Sequence, residues 1–300
     1  MAAPVTDPIM RIGIEDLPPD EYHADPCEVP SLNKTVAWEM ITRSPAHARL
    51  KHPRLAKLWR PPTPEQDVGT IAHRLMLGRG AEFAEIDARD WRTKAAKEAR
   101  DEALDAGLVP VLSHKLERYR YAADRVRQGL ADHGIDYSAG MNEQSMFWVE
   151  HATDGTPVQC RGMLDHIGEQ TSGLVRIRDL KTTADASPAS IQRTIFNLGY
   201  HVQAAAYSSG LAKVYPDWDG RVEFWLDFAE MAEPFCVVPV QLAGDFRRLG
   251  DLQWQQTIDL WANCMRTGHW PGYVTEPIRV EAPPWALKDA MYEEGSEATE

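Results

Sequence analysis

Residues Arg161–Lys181 read RGMLDHIGEQTSGLVRIRDLK. The first half continues from Val158 to Ile167 as VQCRGMLDHI, a strand-like run. The second half, Leu174–Lys181 (LVRIRDLK), alternates apolar and polar residues directly after Ser172-Gly173. That period of two is the signature of a strand. On it, Asp179 and Lys181 point to one side and Leu180 to the other, and Asp165 lies on the neighbouring strand. Two carboxylates on adjacent strands can hold Mg²⁺ through oxygen ligands, leaving positions for water and phosphate. Such a metal lowers the pKa of a bound water and neutralises charge building on phosphorus. Lys181 is placed to orient that water or to stabilise the phosphate. A D-x-K triplet by itself also fits a surface salt bridge.

Working outward, Gln144–Glu150 (QSMFWVE) is a further strand, joined to Val158–Ile167 through an Asp154-Gly155 turn. Phe147 and Trp148 on it read as core. Downstream, Ser187–Tyr215 is helical with a break near Gly199. Arg221–Phe228 and Phe235–Val240 form an antiparallel pair, and Asp245–Thr267 is a helix. Upstream, the stretch to Pro30 reads as an irregular arm and Ser31–Trp59 as helical, broken at Ser44-Pro45 and Pro53. Pro61, Pro62 and Pro64 form a linker, Gly69–Leu77 is a helix, and Pro110–His133 is a long amphipathic helix stopped by Gly134. The order predicts an α/β fold: a central mixed β-sheet flanked by helices, with an N-terminal helical part. The expected boundaries are an arm over 1–30, a single domain over 31–275 and an acidic tail over 276–300.

Other residues bear on the same chemistry. Glu143 stands just before a strand and can supply a third carboxylate. His73 lies on an apolar helix, where a core or capping role is equally open. Gln203 and Tyr207 are four apart and share a helix face. Trp59 reads as core, with a wedge at a duplex end as the alternative.

In order, Gly69-x-x-x-His73, Glu143, Asp165, Asp179-Leu180-Lys181 and Gln203-x-x-x-Tyr207 resemble the PD-(D/E)XK nuclease superfamily in its RecB-like branch. The segments Asp20–Ala24 (DEYHA), Ser44–His47 (SPAH), Trp91–Lys94 (WRTK), Arg161–Asp165 (RGMLD), Asp179–Thr183 (DLKTT) and Gly199–Tyr207 (GYHVQAAAY) are similar to the exonuclease VIII (RecE-type) domain of phages and prophages. The resemblance spans roughly residues 10–275. It implies Mg²⁺-dependent, or Mn²⁺-dependent, degradation of linear double-stranded DNA from a 5′ end, leaving a 3′ single strand for recombination. It also implies that Glu143, Asp165, Asp179 and the Leu180 carbonyl ligate metal, with His73 close by. Lys181 would activate water, and Gln203 and Tyr207 would support the site. Two metals are expected near Asp165 and Asp179. Members of this type form ring-shaped homo-oligomers and work with a RecT-type single-strand annealing protein. Two other readings stay open: a non-catalytic DNA-end or protein-binding module on a nuclease fold, and a RecB-like nuclease acting on single-stranded DNA.

Composition narrows the partners. The 300 residues carry 32 Lys and Arg against 45 Asp and Glu, a net charge of −13. That excludes a protein coating DNA by bulk charge. The charge is uneven, however: residues 41–60 hold six basic residues and no acid, whereas residues 281–300 hold six acids against Lys288. Arg161, Arg176, Arg178 and Arg193 are the expected DNA contacts. Cys27, Cys160, Cys236 and Cys264 are too scattered for a zinc or iron–sulfur site, so no cluster is expected. No apolar run reaches the length of a membrane span, and Met1–Met10 lacks a signal-peptide pattern, so a bacterial cytoplasm is the expected compartment.

Overall fold

In the computed structural model, which describes residues 9–57, 68–168 and 173–286, the chain opens with β1 (Gly13–Glu15) and helices α1 (Pro19–His23), α2 (Lys34–Thr42), α3 (Pro45–Lys51) and α4 (Val68–Leu77). Strand β2 (Phe83–Ile86), helix α5 (Lys94–Asp105), strand β3 (Val109–Leu112) and the long α6 (Ser113–Asp132) follow. Next come β4 (Met141–His151), β5 (Pro157–Ile167) and β6 (Val175–Thr183), then α7 (Pro188–Asn197) and α8 (Tyr200–Val214). Strands β7 (Val222–Glu230) and β8 (Val237–Gln241) and helix α9 (Gly244–Thr267) complete the order.

Six strands form one sheet in the order β1-β4-β5-β6-β7-β8. Only β6 and β7 pair parallel within it. A parallel pair needs a crossover, and α7 and α8 supply it. The mixed sheet expected from the sequence is therefore present. Strand alternation divides its faces. Leu180 packs with Met76, Leu77, Val126 and Leu130 of α4 and α6. Val175 and Ile177 pack into the main core with Val202, Ala206 and Leu211 of α8 and Trp254, Ile258 and Trp261 of α9. Phe147 and Trp148 are fully buried, as read from the sequence.

Local chemistry sets the helix ends. Ser44 accepts a hydrogen bond from the His47 amide and Pro45 opens α3, which is the expected break. Gly199 divides α7 from α8 with φ of +66°, and a Cβ there would stand 2.4 Å from the Trp38 ring. Only glycine satisfies both the backbone and that contact.

Two expectations are corrected. The opening stretch is not wholly irregular: β1 extends the sheet by pairing antiparallel with β4, and Tyr22 and Asp25 are buried. Pro110–Leu112 belongs to β3, not to the helix, which begins at Ser113. The apolar run Val109–Leu112 is fully buried and pairs parallel with β2; over four residues, burial on all sides has no period to distinguish strand from helix. The small β2-β3 sheet and α5 had no expectation attached to them. The Pro61–Pro64 linker, Trp59 and most of the acidic tail lie outside the described residues.

Candidate active site

The β5-β6 ladder is short. Its pairs are His166 with Arg178 and Ile167 with Ile177. Continuing that register sets Asp165 opposite Asp179, at the point where the two strands part. The freed backbone of Leu180 is taken up by side chains. Its N–H donates to Asp165 Oδ2 at 2.9 Å, and its carbonyl lies 2.9 Å from His73 Nε2. A side chain from α4 and one from β5 thus replace the ladder and hold the sheet open there.

Around this opening the predicted residues converge. His73 Nδ1 is 3.5 Å from Glu143 Oε1, and its Nε2 is 3.7 Å from Asp165 Oδ2. Ligand atoms of His73, Glu143 and Asp165 all lie within 4.8 Å of one another. Glu143 is inside β4, not just before it, and has φ of +51°. Residues outside glycine rarely adopt that conformation, and such strain concentrates at functional positions. Asp179 stands outside the three-residue cluster. Its Oδ1 accepts from Gln203 Nε2 of α8, and its Oδ2 pairs with the Lys181 ammonium. Tyr207 is buried against β5, where a Cβ on Gly162 would lie 2.6 Å from its ring.

The electrostatics are those of crowded acids in a dry wall. Burial, with Asp179 close by, pushes the Asp165 carboxyl up to about 7. Burial opposes charge on His73, yet Asp165 and Glu143 raise it to about 9. Burial opposes the Lys181 charge as well, and Asp179 and Asp165 hold it above the usual lysine range. Three acids, Glu143, Asp165 and Asp179, stand against two cations, His73 and Lys181. The oxygen-rich set, with one imidazole and the Leu180 carbonyl, fits a divalent metal ion.

The arginines fare differently. Arg161, read as a DNA contact, is instead a core residue, 1% exposed and paired with Asp25 at 3.1 Å. Arg176 and Arg178 alternate with Asp179 and face the other side of the sheet. They pair with Glu223 at 2.9 Å and Asp227 at 2.7 Å. Arg193 is exposed on α7. Of the basic run over 41–60, Arg43 pairs with Glu39 and Arg54 donates to the carbonyls of Cys27 and Glu28.

Two residues near the site were missed. Tyr200 lines a cleft of about 460 Å³ together with His23, His73, Glu143 and Lys181. Its signal was available, since it precedes Gln203 by three residues and shares its helix face. Lys34 of α2 lies near Lys181; burial first, and then that like charge, lowers its ammonium to about 8. Nothing in the spacing of Lys34 announced this.

Comparisons with known proteins agree with the geometry. No curated protein matches in sequence. A crystal structure of a candidate exonuclease from Eubacterium rectale aligns with a TM-score of 0.58 at 11% identity, covering 92% of this chain and 98% of that one. At that identity the likeness is one of fold. The structure of SSO0001 aligns at 12% identity over 63% of this chain and 84% of that one, with a TM-score of 0.30. Among the described residues, no helix is long and apolar enough to cross a membrane. The model of the PD-(D/E)XK nuclease superfamily matches residues 39–258, which takes in His73, Glu143, Asp165, Asp179, Lys181 and Gln203. With most of its length matched and those side chains gathered where β5 and β6 part, this chain belongs to the PD-(D/E)XK nuclease superfamily.

Proposed function

We propose that the protein is a Mg²⁺- or Mn²⁺-dependent deoxyribonuclease that degrades linear double-stranded DNA from the 5′ end and leaves a 3′ single strand. What supports catalysis is the completeness of the set: Asp165 across from Asp179, Lys181 beside them, and Glu143 and His73 closing the cluster. A binding module on a decayed nuclease fold has no need of a buried carboxyl, Asp165, that burial and a neighbouring acid push upward. When bound, a divalent ion supplies charge neutralisation and an acidified water. The protein's own part is to hold its oxygens in place: the Leu180 amide fixes Asp165, and Gln203 fixes Asp179. Lys181 offers an ammonium for the phosphate or its attacking water. The duplex substrate and the 5′ direction follow from the resemblance of Arg161–Asp165, Asp179–Thr183 and Gly199–Tyr207 to exonuclease VIII-type domains.

The test is digestion of duplexes labelled at either 5′ or 3′ ends, alongside closed circular DNA. Mg²⁺ or Mn²⁺ should give early release of the 5′ label, survival of the complementary strand and no cutting of circles. Wild-type protein that cleaves nothing with either ion would overturn the proposal. Early release of the 3′ label would overturn the direction alone.

A further inference from the structure

Lys34 has no part in the chemistry above, and its surroundings are unusual for a lysine. It is the first residue of α2, and its ammonium donates to the Leu198 carbonyl at 2.7 Å. It also lies over the ring of Tyr200, 5.1 Å from the centroid. The Lys181 ammonium lies over the same ring at 4.6 Å. Two ammoniums therefore share one aromatic ring. Among the described residues, Lys34 forms no ion pair with a carboxylate, whereas Lys181 has Asp179.

That arrangement is costly as it stands. Burial penalises each charge, and the two cations repel. The ring contributes only about 0.5–2 kcal/mol to a cation. An anion between or beside the two ammoniums would offset both costs. Tyr200 lines the same cleft as His73, Glu143 and Lys181, so an anion at Lys181 lies close to this ring. We infer that Lys34, steadied by Tyr200, binds a backbone phosphate of the strand being cut, next to the phosphate that faces Lys181. This rests on the nuclease reading above and adds to it a named phosphate contact outside the metal cluster. The competing role is structural: Leu198 is the C-cap residue following α7, and a lysine on its carbonyl also serves to cap that helix end.

Charge and capping are separable. Lys34→Gln keeps a donor for the Leu198 carbonyl and removes the charge, whereas Lys34→Arg keeps both. Binding of a short duplex is measured without cleavage, in Ca²⁺, across about 50–200 mM salt. Losing one phosphate contact should reduce the slope of log K against log salt by about 0.9. Lys34→Gln should show that reduction, with KM raised and kcat at saturating DNA nearly unchanged. Lys34→Arg should keep the wild-type slope. A wild-type slope in Lys34→Gln would overturn the assignment and leave the nuclease reading standing. Wild-type protein that binds no DNA would overturn both. A second measurement needs no variant: DNA should protect Lys34 of the wild-type protein from acetylation, and equal labelling with and without DNA would overturn the assignment.

Discussion

Two of the buried clusters among the described residues, one around Asp25 and one around Asp165, titrate in opposite directions. Asp25 and His52 are sealed, with their side chains fully excluded from solvent. Asp25 receives Ser31 N–H at 3.0 Å and Ser31 Oγ at 2.7 Å, with Arg161 at 3.1 Å and His52 at 3.2 Å. Burial works against its charge, but His52, Arg161 and Ser31 outweigh it and hold the carboxyl below its usual range. Asp165 is buried too, yet it faces Asp179 and lies beside His73, which lines a cleft, and its carboxyl is raised. In one cluster every lone pair has a donor supplied by the chain. In the other the chain leaves carboxylates short of positive charge, which is the condition for binding something from outside. Burial alone does not distinguish structural from functional acids; the balance of partners does.

The sharpest way to break this contrast is to remove one acid from each cluster. Asp179→Ala should lower nuclease activity by about 10³-fold, of the order seen when one preorganised electrostatic group is lost. Its melting temperature should fall less than that of Asp25→Ala, because the loss of the Lys181 and Gln203 contacts is partly offset by relief of the opposition to Asp165. Near wild-type activity would remove Asp179 from the mechanism. Asp25→Ala should do the reverse. It strands the Arg161 guanidinium in the core, so unfolding by urea should show a loss of about 3–5 kcal/mol. A loss below about 1 kcal/mol would mean that water or a rearranged Ser31 replaces the carboxylate.

The two clusters were unequally legible in the sequence. The candidate active-site cluster was readable because strand alternation fixes side-chain direction: Asp179-Leu180-Lys181 needs no tertiary information to place acid and lysine together. Glu143 and His73 were recovered only through ordered motifs, since neither a left-handed residue within β4 nor a helix crossing the strand ends leaves a local period. The sealed cluster was invisible. Asp25 and Ser31 share one loop, but His52 lies 21 residues beyond Ser31 and Arg161 on a strand 130 beyond it, and no period marks the four as partners. For that reason Arg161 passed for a surface cation. A basic residue in a strand says nothing about whether an acid waits across the fold. Likewise β1 and β3, three and four residues long, exist through pairing with distant strands.

A smaller effect tests how firmly the open cluster is held. Gln203→Leu removes the donor on Asp179 Oδ1 while preserving the bulk of the side chain. Groups that orient a metal-binding carboxylate commonly contribute about 10–100-fold in affinity or activity. The variant should therefore need more Mg²⁺ for half-maximal activity, and excess metal should restore part of the rate. A Mg²⁺ dependence identical to wild type would assign Gln203 to packing instead.

The smallest expected effect lies in the pH dependence of stability with chelator present, where the clusters should contribute opposite slopes. Asp165 rises from 3.8 to about 7 on folding. The native state then holds that proton over a range in which the unfolded chain has released it, so this group makes stability fall as pH rises from about 4 to 7. Asp25 is shifted downward. Its contribution is present above the unfolded carboxylate value and is lost as pH falls through the lower folded one. Asp165→Asn should consequently gain stability over wild type, with the gain larger at pH 7 than near pH 4, as read by urea midpoints. A gain independent of pH would show that Asp165 is already ionised across the range. The opposition with Asp179 would then be relieved within the chain, by Lys181 and His73, and not by an ion from outside.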